Sequence, residues 1–373
     1  MNDFILRSQK ESARFNMNIL RIGMQSINIR ELGNALISND TDIAILRIPC
    51  EKLSQISKLS LLGFTYFQAD TLVYYHTDLS KYEPKELVNK DLEFVRAVKD
   101  DASLLGALVE RIFPGYTNHY NSNPFIEKQN ILEGYKEWVV DFITQDDKRV
   151  FLVNRNGTTI GFATCAIEGS ESEGVLYGVL PEASGGGVYS DIIRFTQAYM
   201  KNLGIGKMKV STQVQNYAVQ KVWSREGFFM TESFATIHIN SLLNYSRLPK
   251  IAFSIFITDE DIKNYGNLSG DINPVHFDDL FAQKLGFTQR ISHGLIANAE
   301  MSKYFGTEFP GNGTLFMSYY YKFLKPLYPN RHYKVTISTP YFDEEKHIYI
   351  CLVKILDADD NLCLLSYNDL IKK

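Results

Sequence analysis

At 373 residues, with 45% hydrophobic content and a formal net charge of −4, the chain can build two or three packed domains and lacks the basic excess of a general nucleic-acid binder. No apolar run approaches the length that spans a bilayer. The four cysteines (Cys50, Cys165, Cys351, Cys363) are scattered without a CxxC pair, which excludes a disulfide scaffold and predicts buried free thiols in a reducing compartment. The opening stretch MNDFILRSQKESARF is mixed polar and has no signal-peptide core, so a soluble cytoplasmic protein is expected.

Residues 1–90 alternate helix and strand: AILRIP and TLVYYHT are strand-like, and CEKLSQISKLSLLGF has helical spacing that stops at Gly63. The polar, Asn-rich GYTNHYNSN carries His119 and Tyr120 and suits the rim of a substrate site. RVFLVNRNGTTIGFATCAI reads as a hairpin turning at Asn156-Gly157. GVLYGVLP is a strand, then PEASGGGVYSDIIRFTQAYMKNLGIG gives a glycine-bearing turn and a helix. KMKVSTQ is a strand, QNYAVQKVWSREGF a helix and FATIHIN a closing strand. One internal echo stands out. From Leu61 and again from Arg225 the chain runs helix end, Gly-Phe, strand, as it would if the first segment were a partial copy of the second.

Gly185, Gly186 and Gly187 before a helix can bring backbone N–H groups against a pyrophosphate, because no Cβ blocks the approach. Alone, three glycines before a helix read more readily as a plain tight turn. In the order LPEASGGGVYSDII, VSTQVQN, WSREGF, the region resembles the GNAT superfamily of acyl-CoA N-acyltransferases. It looks most like the branch of the TDP-fucosamine acetyltransferase type, which acylates nucleotide-linked amino sugars and carries a partial domain before its core. That resemblance implies that Ser184, Gly185, Gly186, Gly187 and Val188, with Asn216, contact coenzyme A. The pattern departs from the family in four places: Ser184 replaces an arginine, Tyr189 a glycine, Val219 an alanine and Trp223 the tyrosine that protonates the departing thiolate. An indole is no acid. Either Tyr217, Tyr189 or water serves, or the thiolate, with a thiol pKa near 8.5, leaves unaided. Trp223 also reads as packing, and so does His238 on its strand. The base that takes the amine proton is unassigned.

After the linker NSLLNYSRLPK comes SGDINPVHFD (Ser269 to Asp278), and fourteen residues further on SHG (Ser292, His293, Gly294). Asn273 reads as an N-cap and Pro274 as the first position of a helix through VHFDDLFAQKL, stopped by Gly286. Asp271 in the preceding turn and His276 in the first turn could then overhang one water. Ser292 reads as the N-cap of a second helix, HGLIANAEMSKYF, apolar on most sides and therefore buried. Its free N–H groups near Gly294 could hold a thioester oxygen. Taken singly, these are turn, cap and surface residues. With PGNG (Pro310 to Gly313), FLKP (Phe323 to Pro326) and the strand-like HYKVTISTPYF, HIYICLVKILD and NLCLLSYNDLI, residues 250–373 resemble the MaoC-like (R)-specific enoyl-CoA hydratases. That resemblance implies a hotdog fold, a long helix wrapped by antiparallel sheet. It also makes Asp271 and His276 the water-activating pair, Gly294 the oxyanion donor, and Asn273, Ser292 and His293 their supports.

The expected protein is thus α+β. A partial GNAT-like unit (1–90) and a GNAT domain (91–243) precede a MaoC-like hotdog (250–373). It would take acyl-CoA and a nucleotide-linked amino sugar, with no metal, no nucleic acid and no membrane, as a dimer through the hotdog. Its job would be hydration of a 2-enoyl-CoA such as crotonyl-CoA and N-acylation of the sugar for a surface glycan. Three alternatives stay open: a hotdog that only dimerises or binds acyl-CoA, an amine that is not a sugar, and an acyl-carrier protein in place of CoA.

Overall fold

The computed structural model describes residues 4–373, in two compact units. The described residues up to Asn39, with Ile43–Ser241, form the first; Asp40–Asp42 and Leu242–Lys373 form the second.

In chain order the first unit contains β1 (Phe4–Arg7), α1 (Gln9–Phe15), β2 (Ile19–Gly23), α2 (Ile29–Ser38), β3 (Ile43–Pro49), a 3-10 segment Cys50–Leu62, and β4 (Thr65–Asp78). It continues with β5 (Leu92–Arg96), α3 (Ala102–Ile112), α4 (Gln129–Ile143), β6 (Lys148–Arg155), β7 (Thr158–Glu168) and β8 (Glu171–Val179). It ends with α5 (Val188–Asn202), β9 (Lys207–Gln213), α6 (Tyr217–Arg225) and β10 (Phe229–Asn240). The ten strands form one sheet in the order β1-β2-β3-β10-β4-β9-β8-β7-β6-β5. The segments read from sequence as 1–90 and 91–243 therefore share a sheet, because β10 of the later segment lies between β3 and β4 of the earlier one. They make one compact unit.

The order has an internal symmetry. β2 pairs parallel with β3, as β8 does with β9, and each parallel pair is followed by a helical segment and a strand. Those last strands, β4 and β10, pair with each other and exchange partners: β10 lies on β3 and β4 on β9. This is the topology a repeat of the β8–β10 run would give, and it matches the Gly-Phe echo. β3 is sandwiched between neighbours and covered on both faces, so it is apolar along its length apart from Arg47 and the terminal Pro49.

The second unit has β11 (Ile251–Ile257), α7 (Asp259–Ser269), α8 (Asp279–Lys284), α9 (Ile296–Thr307), β12 (Thr314–Phe323), β13 (Arg331–Asp343), β14 (Ile348–Leu356) and β15 (Leu362–Lys372). Its antiparallel sheet runs β11-β13-β14-β15-β12. Ala297, Met301 and Phe305 of α9 are fully buried in one core with Val335, Val353 and Ile355 of the sheet. A helix packed on such a sheet is the hotdog arrangement expected.

Three local expectations are corrected. The helix through VHFDDLFAQKL is broken: Pro274–His276 is a single 3-10 turn, and α8 starts afresh after Asp278, whose Oδ1 accepts from the Leu280 and Phe281 amides. A second Asx cap inside the run outcompetes continuation. Ser292 does not cap α9, which starts at Ile296; its Oγ donates to the His293 carbonyl and its amide to Leu327. α9 is buried on one side only, with Leu295 and Ala299 exposed.

Candidate active sites

Two sites are built, one in each unit. In the first, β8 and β9 pair only from Glu171↔Lys207 to Gly174↔Val210. Beyond that the strands part. A bulge opposite Thr164 and Cys165 leaves Val175 without a partner in either neighbouring ladder, and Thr164 Oγ1 takes the Leu176 amide at 2.9 Å. The split opens a cleft of about 310 Å³ walled by Val175, Tyr177, Tyr189, Ser211 and Trp223, with Ser184, Gly185 and Asn216 at its lining.

Gly185, Gly186 and Gly187 all have positive φ (91°, 55° and 88°), which other residues adopt only with strain. Of the five amides read as CoA ligands, Ser184 N–H is spent on Pro181 O and Val188 N–H on Gly185 O. Only the three glycine amides stay outside the backbone network, so Ser184 and Val188 are corrected to turn residues; Val188 is buried in the core. Asn216 donates from Nδ2 to Thr212 Oγ1 at 3.0 Å instead of capping α6. The loop is pinned from a segment that the motif reading passed over. Fully buried Asp191 accepts from the Val88 and Asn89 amides at 2.9 and 2.8 Å, and Asn89 Nδ2 donates to Gly186 O at 2.9 Å.

Trp223 is buried, 5.5 Å from the Tyr75 ring centroid, and contributes one wall of the cleft. Tyr217 is 66% exposed and outside the lining, whereas Tyr189 is inside it. Burial pushes the Tyr189 phenol upward, so it keeps its proton at neutral pH.

A second cavity of about 470 Å³ shares Tyr116, Val175 and Thr212 with the cleft. His119 and Tyr120 line its wall, not its rim, and His119 is 6% exposed. Asn123 Oδ1 accepts from the Phe125 amide, which fixes the side-chain amide. Asn123 Nδ2 then donates to His238 Nδ1 at 2.9 Å, so His238 carries its proton on Nε2 and gives it to His119 Nδ1 at 2.9 Å. Neutral His119 is left with a proton on Nε2, a donor and not a base. Burial, with Arg21 nearby, holds both imidazoles below the usual range, His238 to about 3. Tyr120 donates to Glu11 and accepts from Arg21 Nη2 at 2.7 Å, while Arg21 grips Glu11 with two bonds of 2.7 and 2.6 Å.

In the second unit, Asx geometry shapes the site. Asp271 Oδ1 accepts from the Asn273 amide and Asn273 Oδ1 from Val275. His276 Nδ1 donates to Ile291 O at 2.9 Å, which leaves the Nε2 lone pair free. Asp271 Oδ2 lies 3.9 Å from that Nε2 and 3.9 Å from His293 Nε2, and the two imidazoles stack at 3.8 Å. Burial lowers the His276 pKa and His293 adds to it, against the opposing pull of the Ile291 bond and Asp271. His293 Nε2 donates to the Asp271 backbone carbonyl at 2.9 Å, so it props the turn that presents the carboxylate. The three side chains gather donor atoms within 4.8 Å, a cluster that sequence spacing did not show. His276 and Gly294 also line a cavity of about 460 Å³ with Phe323 and Leu327. A Cβ on Gly294 would come within 2.4 Å of the Phe323 ring, so any larger residue there requires that half-exposed ring to shift.

Comparison with known proteins agrees with this division. The Acetyltransferase (GNAT) family matches residues 75–228 and the MaoC like domain matches residues 247–344. The mitochondrial 3-hydroxyacyl-[acyl-carrier-protein] dehydratase of Arabidopsis thaliana is 28% identical over 145 residues, 39% of this chain and 81% of its own. An (R)-specific enoyl-CoA hydratase of Rhodospirillum rubrum is 35% identical over 71 residues, 19% of this chain; the chain spans 49% of its length. A solved GCN5-related N-acetyltransferase from Sphaerobacter thermophilus is 11% identical, covering 63% of this chain and 75% of its own, with a TM-score of 0.44. The chain thus carries a GNAT-like segment followed by a C-terminal MaoC-like segment. Among the described residues no helix is long and apolar enough to cross a membrane.

Proposed function

We propose that the chain is a bifunctional acyl-CoA enzyme. Its second unit hydrates a 2-enoyl-CoA, such as crotonyl-CoA, to an (R)-3-hydroxyacyl-CoA. Its first unit transfers an acyl group from CoA to the amine of a nucleotide-linked amino sugar destined for a surface glycan. The observation that carries the reading is the Asp271–His276 geometry. A gap of 3.9 Å, with a proton-free Nε2 on one side and a carboxylate oxygen on the other, suits one water making hydrogen bonds of about 2.8 Å to each.

His276 takes the water proton on Nε2 as the oxygen adds to the β-carbon, with Asp271 orienting the water. The imidazolium returns that proton to the α-carbon. The Gly294 amide faces the developing enolate oxygen. General acid–base help of this kind is worth about 10²–10⁴-fold. In the first unit the Val175 amide, at the bulge outside both ladders, is the candidate donor to the thioester carbonyl oxygen, and the glycine amides are the candidates for the CoA pyrophosphate. The neutral amine nitrogen attacks the carbonyl carbon, the C–S bond breaks, and the thiolate leaves; the nitrogen gives up one proton to water, and the sulfur takes one up as CoA thiol.

The test is to incubate the protein with crotonyl-CoA and a dTDP-linked amino sugar and to weigh the products. A sugar amide heavier by a hydroxybutyryl group supports both halves. Transfer from acetyl-CoA without hydration of crotonyl-CoA removes the hydratase half and leaves the hotdog as a dimerisation or binding module.

A further inference from the structure

Arg47, which lines the second cavity of the first unit, starts a row of three residues that no motif singled out; the other two lie behind the lining. Thr236 of β10 is in register with Arg47 of β3 on one side and with Asp70 of β4 on the other. Residues in register across a sheet share a face. On this row Arg47 Nε, Thr236 Oγ1 and both Asp70 carboxylate oxygens are buried, and none has a hydrogen-bond partner among the described residues. Four partnerless polar atoms on three adjacent strands are a costly arrangement without something to satisfy them.

The surrounding charges are spoken for. Lys10 pairs with Asp141, Arg14 with Glu137, Arg21 with Glu11 and Glu173 with Lys209. Arg47, which lines the cavity, and Asp70 form no ion pair among the described residues. Arg47 is the uncommitted charge of the lining, and Asp70, in the same row behind the lining, is an uncommitted charge of opposite sign. Asp70 is at the end nearer the thioester cleft. Its charge acts on Tyr116 and Tyr135, and Tyr116 belongs to both cavities. Arg47 is two strands away, about 10 Å at the backbone. Ser122 Oγ donates to Ala69 O at 3.0 Å, which ties the segment carrying His119 and Tyr120 to β4 beside Asp70.

We propose that this row is the recognition site for an acyl acceptor that is both an amine and an anion. Asp70 holds the amine beside the cleft, and Arg47 holds a phosphate or carboxylate several bonds away, with Thr236 between them. This rests on the acyltransferase reading and deepens it. It excludes neutral amines and simple polyamines as good acceptors. A nucleotide-linked amino sugar meets the requirement through its pyrophosphate, and so does an amino sugar phosphate.

Three probes separate the cases: glucosamine with no anion, glucosamine 6-phosphate, and a dTDP-linked amino sugar. Binding to the full chain is followed by calorimetry, and thermal protection by acetyl-CoA is measured in parallel to report the donor site alone. The wild type should bind at least one anionic probe at least tenfold more tightly than glucosamine. Arg47→Gln should remove that preference, Asp70→Asn should weaken every amine, and both should keep the acetyl-CoA protection of the wild type. Equal binding of glucosamine and both anionic probes overturns the proposal, as does an anionic preference that survives Arg47→Gln. Arg47→Lys, which keeps the charge, should retain part of the preference and guards against a folding defect. Loss of acetyl-CoA protection in the wild type, with anionic binding intact, would overturn the acyltransferase reading and not this site.

Discussion

The Asp271 carboxylate oxygen is equidistant, at 3.9 Å, from His276 Nε2 and His293 Nε2, yet the two imidazoles do different work. His276 spends Nδ1 on Ile291 and keeps Nε2 for a proton; His293 spends Nε2 on the Asp271 backbone. Asp271→Asn and His276→Gln should each lower crotonyl-CoA hydration by about 10²–10⁴-fold. His293→Gln, which can still donate, should lose much less. Transfer of a ready-made acyl group from acetyl-CoA should be unchanged in all three, as followed by CoA release.

The same geometry sets a pH dependence. Hydration needs neutral His276, and burial holds its pKa below the ordinary imidazole range, so the acid limb of kcat/KM should lie below about pH 6.5. Asp271 opposes that shift. Asp271→Asn should therefore move the His276 titration to still lower pH, as read from its ring proton by NMR. A shift to higher pH would show that the carboxylate does not act on this imidazole.

Gly294 and Phe323 form a steric pair. Gly294→Ala forces a methyl to within 2.4 Å of the ring, a clash of about 1–3 kcal/mol that is relieved by displacing Phe323 from its place in the cavity lining. Hydration should fall at least 100-fold. Adding Phe323→Ala should restore stability, measured by denaturant unfolding, and part of the activity.

Much of this second site is legible in the chain because its residues lie within 24 positions of each other and Asx turns are encoded locally. Asn273 and Pro274 announce their turn by type, whereas the cap at Asp278 is hidden inside a run that reads as continuous helix. What the spacing does not reveal is long-range: that His293, not Ser292, reaches back to the Asp271 turn, and that Phe323 polices Gly294. The first unit was harder to read. Its glycine loop is a local signal, but its clamp by Asn89 and Asp191 spans 102 positions. The Arg47–Thr236–Asp70 row exists only once β10 has inserted between β3 and β4. The Ser184 and Val188 amides could not be discounted before the turn bonds that consume them were known.

Tyr189 and Trp223 divide the role that a single tyrosine has in the family pattern. Trp223 is a wall and carries no acid; Tyr189 retains a proton and faces the cleft. Trp223→Phe should cost stability through lost packing, about 1–3 kcal/mol, with kcat for acyl transfer changed less than threefold. Tyr189→Phe should leave stability nearly unchanged and lower kcat by about tenfold or more. The reverse pattern would make water the proton source.

Acid should dismantle the first unit before it dismantles the second. Glu11 is buried, which by itself raises its pKa, but the Arg21 hydrogen bonds and charge overcome burial and bring it down to about 2. A depressed carboxylate pKa gives stability that is whole above the unfolded value of about 4.5 and drains away as pH falls toward 2. His238, held near 3 by burial, adds an earlier loss, because the unfolded chain gains that proton from about pH 6.5 downward while the folded chain refuses it. Each group contributes up to about 1.4 kcal/mol per pH unit inside its window. Denaturant unfolding of the full chain, followed by two probes, should show the first unit weakening from pH 6.5 to 3. Glu11→Gln should flatten the part below pH 4.5. At neutral pH it should cost about 3–5 kcal/mol, because Arg21 is then buried without its partner. Unchanged neutral stability in that variant would mean that the Tyr120 hydroxyl and solvent satisfy the guanidinium, and the acid sensitivity would then have to come from the histidine pair.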